Sequence, residues 1–267
     1  MNNVLKKILK RKKERIQEYK KEYPINNVLK SIKNIDNFIN FTQKLQIREK
    51  SQKISIIAEI KKSSPSAGIL VKDFNYLDIA NLYINNGASF LSVLTEEDFF
   101  LGKLDHIKNI KDNHKIPILC KDFFLDTYQV PLAKSFGADC ILIILSAVDK
   151  KLAKDLYQTA VELNISTLIE VHSKKEAEIA LSFENSLIGI NNRNLDTLKI
   201  SLNTSIELSK ILYPHKNPLI SESGINSPDD IKFIVDKAKI YNFLIGESLL
   251  KNQDIALKLK QLTRISL

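Results

Sequence analysis

The residues of this chain best suited to moving protons are glutamates and lysines placed at the ends of short apolar runs. Glu59 and Lys61 close the run Ile54–Ile60, and in an extended strand positions 59 and 61 point the same way. A carboxylate and an ammonium thus leave the end of a buried strand together, where unpaired charge is costly. Taken alone, such a pair reads better as a salt-bridged strand end than as chemistry. Other runs end in the same manner: Ile116–Cys120 leads into Lys121-Asp122-Phe123, Ile165–Val171 carries Glu170 and leads into His172, and Leu187–Ile190 leads into Asn191-Asn192-Arg193. Brought to one rim, Lys61, Lys121, Glu59 and Glu170, with Asn191 and Arg193 as donors, suit proton transfer on an anionic substrate. Like charges and partial desolvation move such pKa values toward neutrality. Two further ends, Glu222-Ser223-Gly224 and Gly246-Glu247, carry glycines that let backbone N–H groups approach a ligand closely. One such end is an ordinary turn. Two in the last two strands point to a phosphorylated substrate.

The elements that must position these residues are eight short runs rich in Ile, Leu and Val: Ile54–Ile60, Phe90–Leu94, Ile116–Cys120, Cys140–Leu145, Ile165–Val171, Leu187–Ile190, Pro218–Ile220 and Asn242–Ile245. Segments of helical periodicity follow them, at Leu77–Asn86, Leu104–Asn113, Thr127–Phe136, Lys150–Leu163, Lys174–Ser182, Asn203–Leu212 and Pro228–Lys237. Continuous apolar strands alternating with helices are the pattern of a parallel sheet covered on both faces. Eight units of roughly 25 residues predict an α/β fold, a single (β/α)8 TIM barrel whose active face lies at the strand C-termini. Ser227-Pro228-Asp229-Asp230 supplies a helix start: a capping Ser, Pro at the first position, acids in the first turn. The expected organisation is a single barrel domain over 1–267: an N-terminal helical extension over 1–50, eight βα units over 54–251 and a C-terminal helix over 252–267.

Composition agrees. A chain of 267 residues that is 44% hydrophobic can bury one large core. No linker rich in Pro, Gly or Ser divides it. No apolar stretch approaches the roughly 20 residues that cross a bilayer, and Met1-Asn2-Asn3-Val4-Leu5-Lys6 lacks a signal-peptide core, so a cytoplasmic, membrane-independent protein is expected. Cys120 and Cys140 lie in strands without CxxC spacing and read as buried thiols. His106, His114, His172 and His215 form no ligand pattern, and no metal is expected. The net charge of +9 is concentrated in residues 1–30, whose lysines surround Val4, Leu5, Ile8, Ile16 and Tyr19. That pattern predicts a helix with one apolar stripe packed on the barrel, not an arm for nucleic acid.

Seven segments in order carry a resemblance to a known family. They are Ile57 to Ser66, Leu91 to Glu96, Leu119 to Phe123, Leu168 to His172, Gly189 to Leu195, Ser221 to Ile225 and Leu244 to Leu249, and together they resemble the indole-3-glycerol phosphate synthases. The chain is similar to the single-function form, not to versions fused to phosphoribosylanthranilate isomerase. The resemblance implies a lyase acting on 1-(2-carboxyphenylamino)-1-deoxyribulose 5-phosphate, releasing CO2 and water without a cofactor. It implies Lys121 as general acid, Lys61 as a second lysine that binds substrate and can share acid duty, and Glu170 as the base assisting dehydration. Glu59 and Asn191 would position substrate and hold the lysines. Arg193, Ser64 and Glu222 would lie at the substrate, and Ser223, Gly224, Gly246 and Glu247 at the phosphate. Glu247 departs from expectation, since a small residue would sit better beside a dianion; only its backbone N–H is expected to serve. His172 reads as structural or loop-orienting. Other enzymes of tryptophan biosynthesis are candidate partners. Two alternatives stand beside this reading. A sugar-phosphate isomerase barrel would be expected to lack the Glu59/Lys61 pair followed by Ser64-Pro65-Ser66, and a barrel that only binds phospho-ligands would be expected to lack Lys121 or Glu170.

Overall fold

The computed structural model describes residues 3–265 except 34, 36, 37, 66 and 196. Ser66 of the first motif and the last two residues of the expected C-terminal helix lie outside the described residues. Eight parallel strands close a barrel in chain order: Ser55–Ile60, Phe90–Leu94, Ile118–Lys121, Cys140–Ile144, Ser166–Val171, Leu187–Asn191, Leu219–Glu222 and Asn242–Ile245. The ring closes where Ala58 of the first strand pairs with Ile245 of the eighth on one side and Leu91 of the second on the other.

Each strand is buried on both faces, and its period-two alternation divides the residues between two cores. Ile56, Ala58 and Ile60 belong to the core beneath the helices, whereas Ile57 joins Leu119, Leu142, Leu168, Leu187, Ile220 and Leu244 inside the barrel. Counting two residues onward from an inward apolar side chain reaches the polar rim: Ile57 to Glu59, Leu119 to Lys121, Leu168 to Glu170, Ile220 to Glu222. The chemistry therefore sits one layer above an apolar plug, and the alternation of each strand aims it there.

The outer helices are α4 (Tyr76–Asn85), α5 (Leu104–Asn113), α6 (Gln129–Ser135), α7 (Lys150–Glu162), α8 (Lys174–Ala180), α9 (Asn203–Leu212) and α10 (Pro228–Ala238), followed by the short α11 (Glu247–Leu250) and by α12 (Ile255–Thr263). The start at Ser227 is a capping box: its hydroxyl accepts from the Asp230 N–H while the Asp230 carboxylate accepts from the Ser227 N–H.

The N-terminal extension is three helices, not one: α1 (Asn3–Glu22), α2 (Ile25–Ile32) and α3 (Phe41–Lys50). Pro24 opens α2, and Asn40 caps α3 by accepting from the Gln43 N–H. Helix α3 inserts Phe41 and Leu45 into the interior core, where the Phe41 ring lies 4.6 Å from that of Phe90. Asp139 braces this end of the barrel; its buried carboxylate accepts from the Ile39 and Ile118 N–H groups, each at 2.8 Å, and from Lys111 at 3.0 Å. Helix α1 packs at the opposite end, with Ile8, Ile16 and Tyr19 buried as the apolar stripe requires. Both cysteines are buried and free. No described helix is long and apolar enough to cross a membrane.

Candidate active site

The strand C-termini surround a cavity of about 720 Å³ lined by every residue assigned to the site from sequence: Glu59, Lys61, Ser64, Lys121, Glu170, Asn191, Arg193, Glu222, Ser223, Gly224, Gly246 and Glu247. That volume suits a ligand of drug-like size. One wall is apolar and comes from α1, through Val4, Leu5 and Ile8, together with Phe100, Phe123 and Leu142.

Two charge groups occupy the floor. In the first, Lys61 donates to Glu59 at 2.5 Å. In the second, the Lys121 ammonium donates to Glu170 and to Glu222, 2.9 Å to each. Burial alone would lower the Lys121 pKa, but Glu170, Glu222 and Glu59 outweigh it and hold the ammonium protonated far above neutrality. The two carboxylates are not equivalent. Burial would raise Glu170, yet Lys121 and His172 keep it well below the usual carboxylate range. Glu222 is pushed above that range by its burial, with Glu170 adding to the rise against the pull of Lys121. An ionised glutamate, a more readily protonated one and an ammonium between them are the parts of an acid–base site.

Asn191 meets Lys121 through a glutamate: its amide donates to Glu170 at 3.1 Å, and its carbonyl accepts from the Arg193 N–H. Glu222, expected at the substrate, spends one oxygen on Lys121. Ser64 begins a small hairpin, Ser63–Ser64 with Gly68–Ile69, and Ser63 ties it to the next loop by donating to the Phe99 carbonyl at 2.9 Å.

At the seventh end, Ser223 and Gly224, which line the cavity, take left-handed conformations, φ 65° and 87°, so the chain turns sharply there. Glu247 is pinned by two cations, Arg193 at 3.1 Å and Lys251 at 2.6 Å. Gly246 is small for a reason sequence did not reveal: a Cβ there would stand 2.5 Å from a Glu59 oxygen and 3.0 Å from its Cβ. Gly246→Val should therefore displace Glu59 and its partner Lys61, lowering kcat about tenfold besides raising KM, because small misplacements of positioned groups are expensive. Glu247→Ser removes two partly exposed rim pairs, each worth about 0–1 kcal/mol, and should leave KM unchanged or lower. Steady-state kinetics on both variants decide; a large KM rise for Glu247→Ser with Gly246→Val near the native value would mean that the phosphate is held elsewhere.

Three supports escaped sequence reading. Gly189 leaves room for the Glu222 carboxylate, which a Cβ would strike. Asn192, buried, accepts from the Ser205 N–H and donates to Ser221 and to the Ser223 carbonyl, fixing the sixth end to the seventh. Glu96 accepts from the N–H groups of Asp98, Phe99 and Phe100 and so shapes the second loop. Gly189, Asn192 and Glu96 lie within matching motifs, but their partners are set by the barrel's closure.

Comparison with known proteins agrees with this geometry. Residues 5–262 match the family described as indole-3-glycerol phosphate synthase. Proteins of that name from Polaromonas naphthalenivorans (strain CJ2) and Legionella pneumophila (strain Lens) are 38% and 40% identical to the chain, each covering 98% of it and 99% of their own length. One from Alkaliphilus metalliredigens (strain QYMF) is 40% identical over 97% of both chains. Among solved structures, the tryptophan synthase subunit alpha of Legionella pneumophila superposes with a TM-score of 0.62 over 83% of this chain and 96% of its own, at 12% identity; that likeness is one of fold.

Proposed function

The chain belongs to the indole-3-glycerol phosphate synthase family, and on that premise we propose that its single barrel domain, residues 1–267, is a cytoplasmic carbon–carbon lyase of tryptophan biosynthesis whose chemistry is carried by Lys121, Glu170, Lys61, Glu59 and Asn191. The substrate is 1-(2-carboxyphenylamino)-1-deoxyribulose 5-phosphate. The observation that carries the assignment of roles is the Lys121 ammonium held at 2.9 Å from both Glu170 and Glu222 beside an apolar wall fit for an aromatic ring.

The ring carbon bearing the carboxylate attacks the ketone carbon, and Lys121 donates a proton to the oxygen that becomes a hydroxyl. The attack leaves a cationic nitrogen in conjugation with the ring. Loss of CO2 returns its electron pair to that sink, which is why no metal or pyridoxal is needed for the step. Dehydration then removes the new hydroxyl as water, protonated by a lysine, while Glu170 takes the methylene proton and the pyrrole ring becomes aromatic. Lys61, held by Glu59, binds the anionic substrate and can share the acid's part. Arg193 and Ser64 line the substrate, and the turn Ser223-Gly224 with the backbone after Gly246 receives the phosphate. Glu247 contributes its N–H, its carboxylate being engaged by Arg193 and Lys251.

The basic N-terminus supports a scaffold and not a nucleic-acid arm. Lys12 is buried on Asp122, Arg15 pairs with Asp98 and Lys20 with Asp126, so much of its charge is met inside the molecule. Partners beyond the substrate are other enzymes of the same pathway. Incubating purified protein with the substrate should generate the fluorescence of an indole product, and a sugar-phosphate isomerase would give none. Turnover should also survive exhaustive treatment with EDTA; loss of activity restored by a divalent ion would contradict the cofactor-free mechanism.

A further inference from the structure

Lys121 stands equally far from two carboxylates, 2.9 Å from Glu170 and 2.9 Å from Glu222. Nothing in that geometry says which of them keeps its charge, yet the reaction needs one of the two to be an ionised base. The symmetry is broken by His172. As i and i+2 at the end of the fifth strand, Glu170 within it and His172 just past it, the two share a face, and the His172 Nε2 lies 3.1 Å from Glu170 Oε1, while its Nδ1 lies 3.5 Å from Glu176 Oε2. Neither ring nitrogen makes a well-aligned hydrogen bond, so the contacts act chiefly through charge. On the other side, Glu222 Oε1 is buried without a hydrogen-bond partner among the described residues.

We propose that His172 is the positioning residue that assigns the ionised role to Glu170 and the protonated role to Glu222, with Glu176 in α8 holding the imidazolium in place. The inference rests on the reading of Glu170 as the base. The groups around the pair are few and named: Glu170 faces Lys121, Glu222, Asn191 and His172; Glu222 faces Lys121, Glu170 and Glu59; Glu59 is met by Lys61. Arg193 is held by Glu247 and Lys12 by Asp122, so neither joins the ring. Burial would lower the His172 pKa, but Glu170 and Glu176 outweigh it and raise it to about 9, so the imidazolium persists through neutral pH.

The sign follows directly. Removing the imidazolium takes a cation away from Glu170 and Glu176 but not from Glu222, so the Glu170 pKa rises toward the ordinary carboxylate range and the acid limb of the rate moves to higher pH. The experiment is the pH profile of the single-turnover rate for the full chain and for His172→Gln, Glu176→Gln and Glu170→Gln. His172→Gln should move the acid limb up by about one pH unit or more, the effect of losing an opposite charge at this range, with the rate recovering toward the native value on the alkaline side. Glu176→Gln, a partly exposed position away from the substrate, leaves the imidazolium charged on the acid limb but no longer held against Glu170, so it should move the limb in the same direction by less, and serves if the histidine variant does not fold. Loss of rate by the same factor at every pH, or a limb that does not move in either variant, overturns the proposal. Glu170→Gln separates the two layers. If it turns over normally, the base assignment itself fails; if it is inactive and the other profiles are unmoved, only the role of His172 fails.

Discussion

Lys121→Met is expected to lower kcat by roughly 10² to 10⁴, the range for loss of a positioned acid, equivalent to about 3–5 kcal/mol of barrier. The barrel should remain folded, with a native circular dichroism spectrum, since the ammonium supports the rim and not the apolar plug of Leu119, Leu168 and Ile220 below it. Glu170 and Glu222 lose their shared partner, and Glu170 is then held by His172 and Asn191. The loss should therefore fall on kcat more than on KM, as for an interaction used in the transition state. Lys121→Arg is the informative control. It keeps a cation between Glu170 and Glu222 and should keep stability, but a guanidinium does not give up its proton, so the rate should stay low. A kcat near the native value in Lys121→Met would assign the acid to Lys61.

Lys12→Met should be strongly destabilising although it lies outside the cavity. The Lys12 ammonium is 1% exposed and donates at 2.7 Å to Asp122, which also accepts from the Thr95 hydroxyl at 2.7 Å and the Phe123 N–H at 2.7 Å. Removing one partner of a buried pair leaves a charge uncompensated and costs about 3–5 kcal/mol. For a chain of this size that is a fall in Tm of roughly 6 °C or more. The second consequence is functional. Asp122 follows Lys121, and α1 carries Val4, Leu5 and Ile8 into the cavity wall, so loosening the helix should raise KM. Lys12→Met combined with Asp122→Asn removes the orphaned charge and should recover part of the stability. A loss below about 0.5 kcal/mol for Lys12→Met, by urea titration, would mean that α1 is not anchored through this pair.

Much of this arrangement is legible in the sequence because two periodicities write it there. Strand ends lie within two residues of the apolar runs, and Leu104–Asn113 and Asn203–Leu212 coincide with their helices, since alternation and helical spacing both report burial directly. The rim residues follow by counting from the inward apolar side chains. What periodicity does not carry is partnership across the ring. Lys12 and Asp122 are 110 residues apart, and nothing local marks either as half of a pair. Arg193 and Glu247 meet only because the sixth and eighth ends converge, which is why the glutamate looked out of place. The hairpin at Ser63–Ile69 has two-residue strands, too short to show a period. His172 shares a face with Glu170 in the sequence, but its weight comes from Glu176 and from the equal spacing of Lys121 between two carboxylates, neither of which alternation encodes.

The central claim is that this rim closes a ring and expels the carboxylate of its own substrate. The most direct measurement uses substrate labelled at the carboxyl carbon and counts labelled CO2 against indole product formed by the purified protein. The account predicts one CO2 for each indole product, both lost together in Lys121→Met. Substrate consumed without CO2, or bound and recovered unchanged, would contradict it.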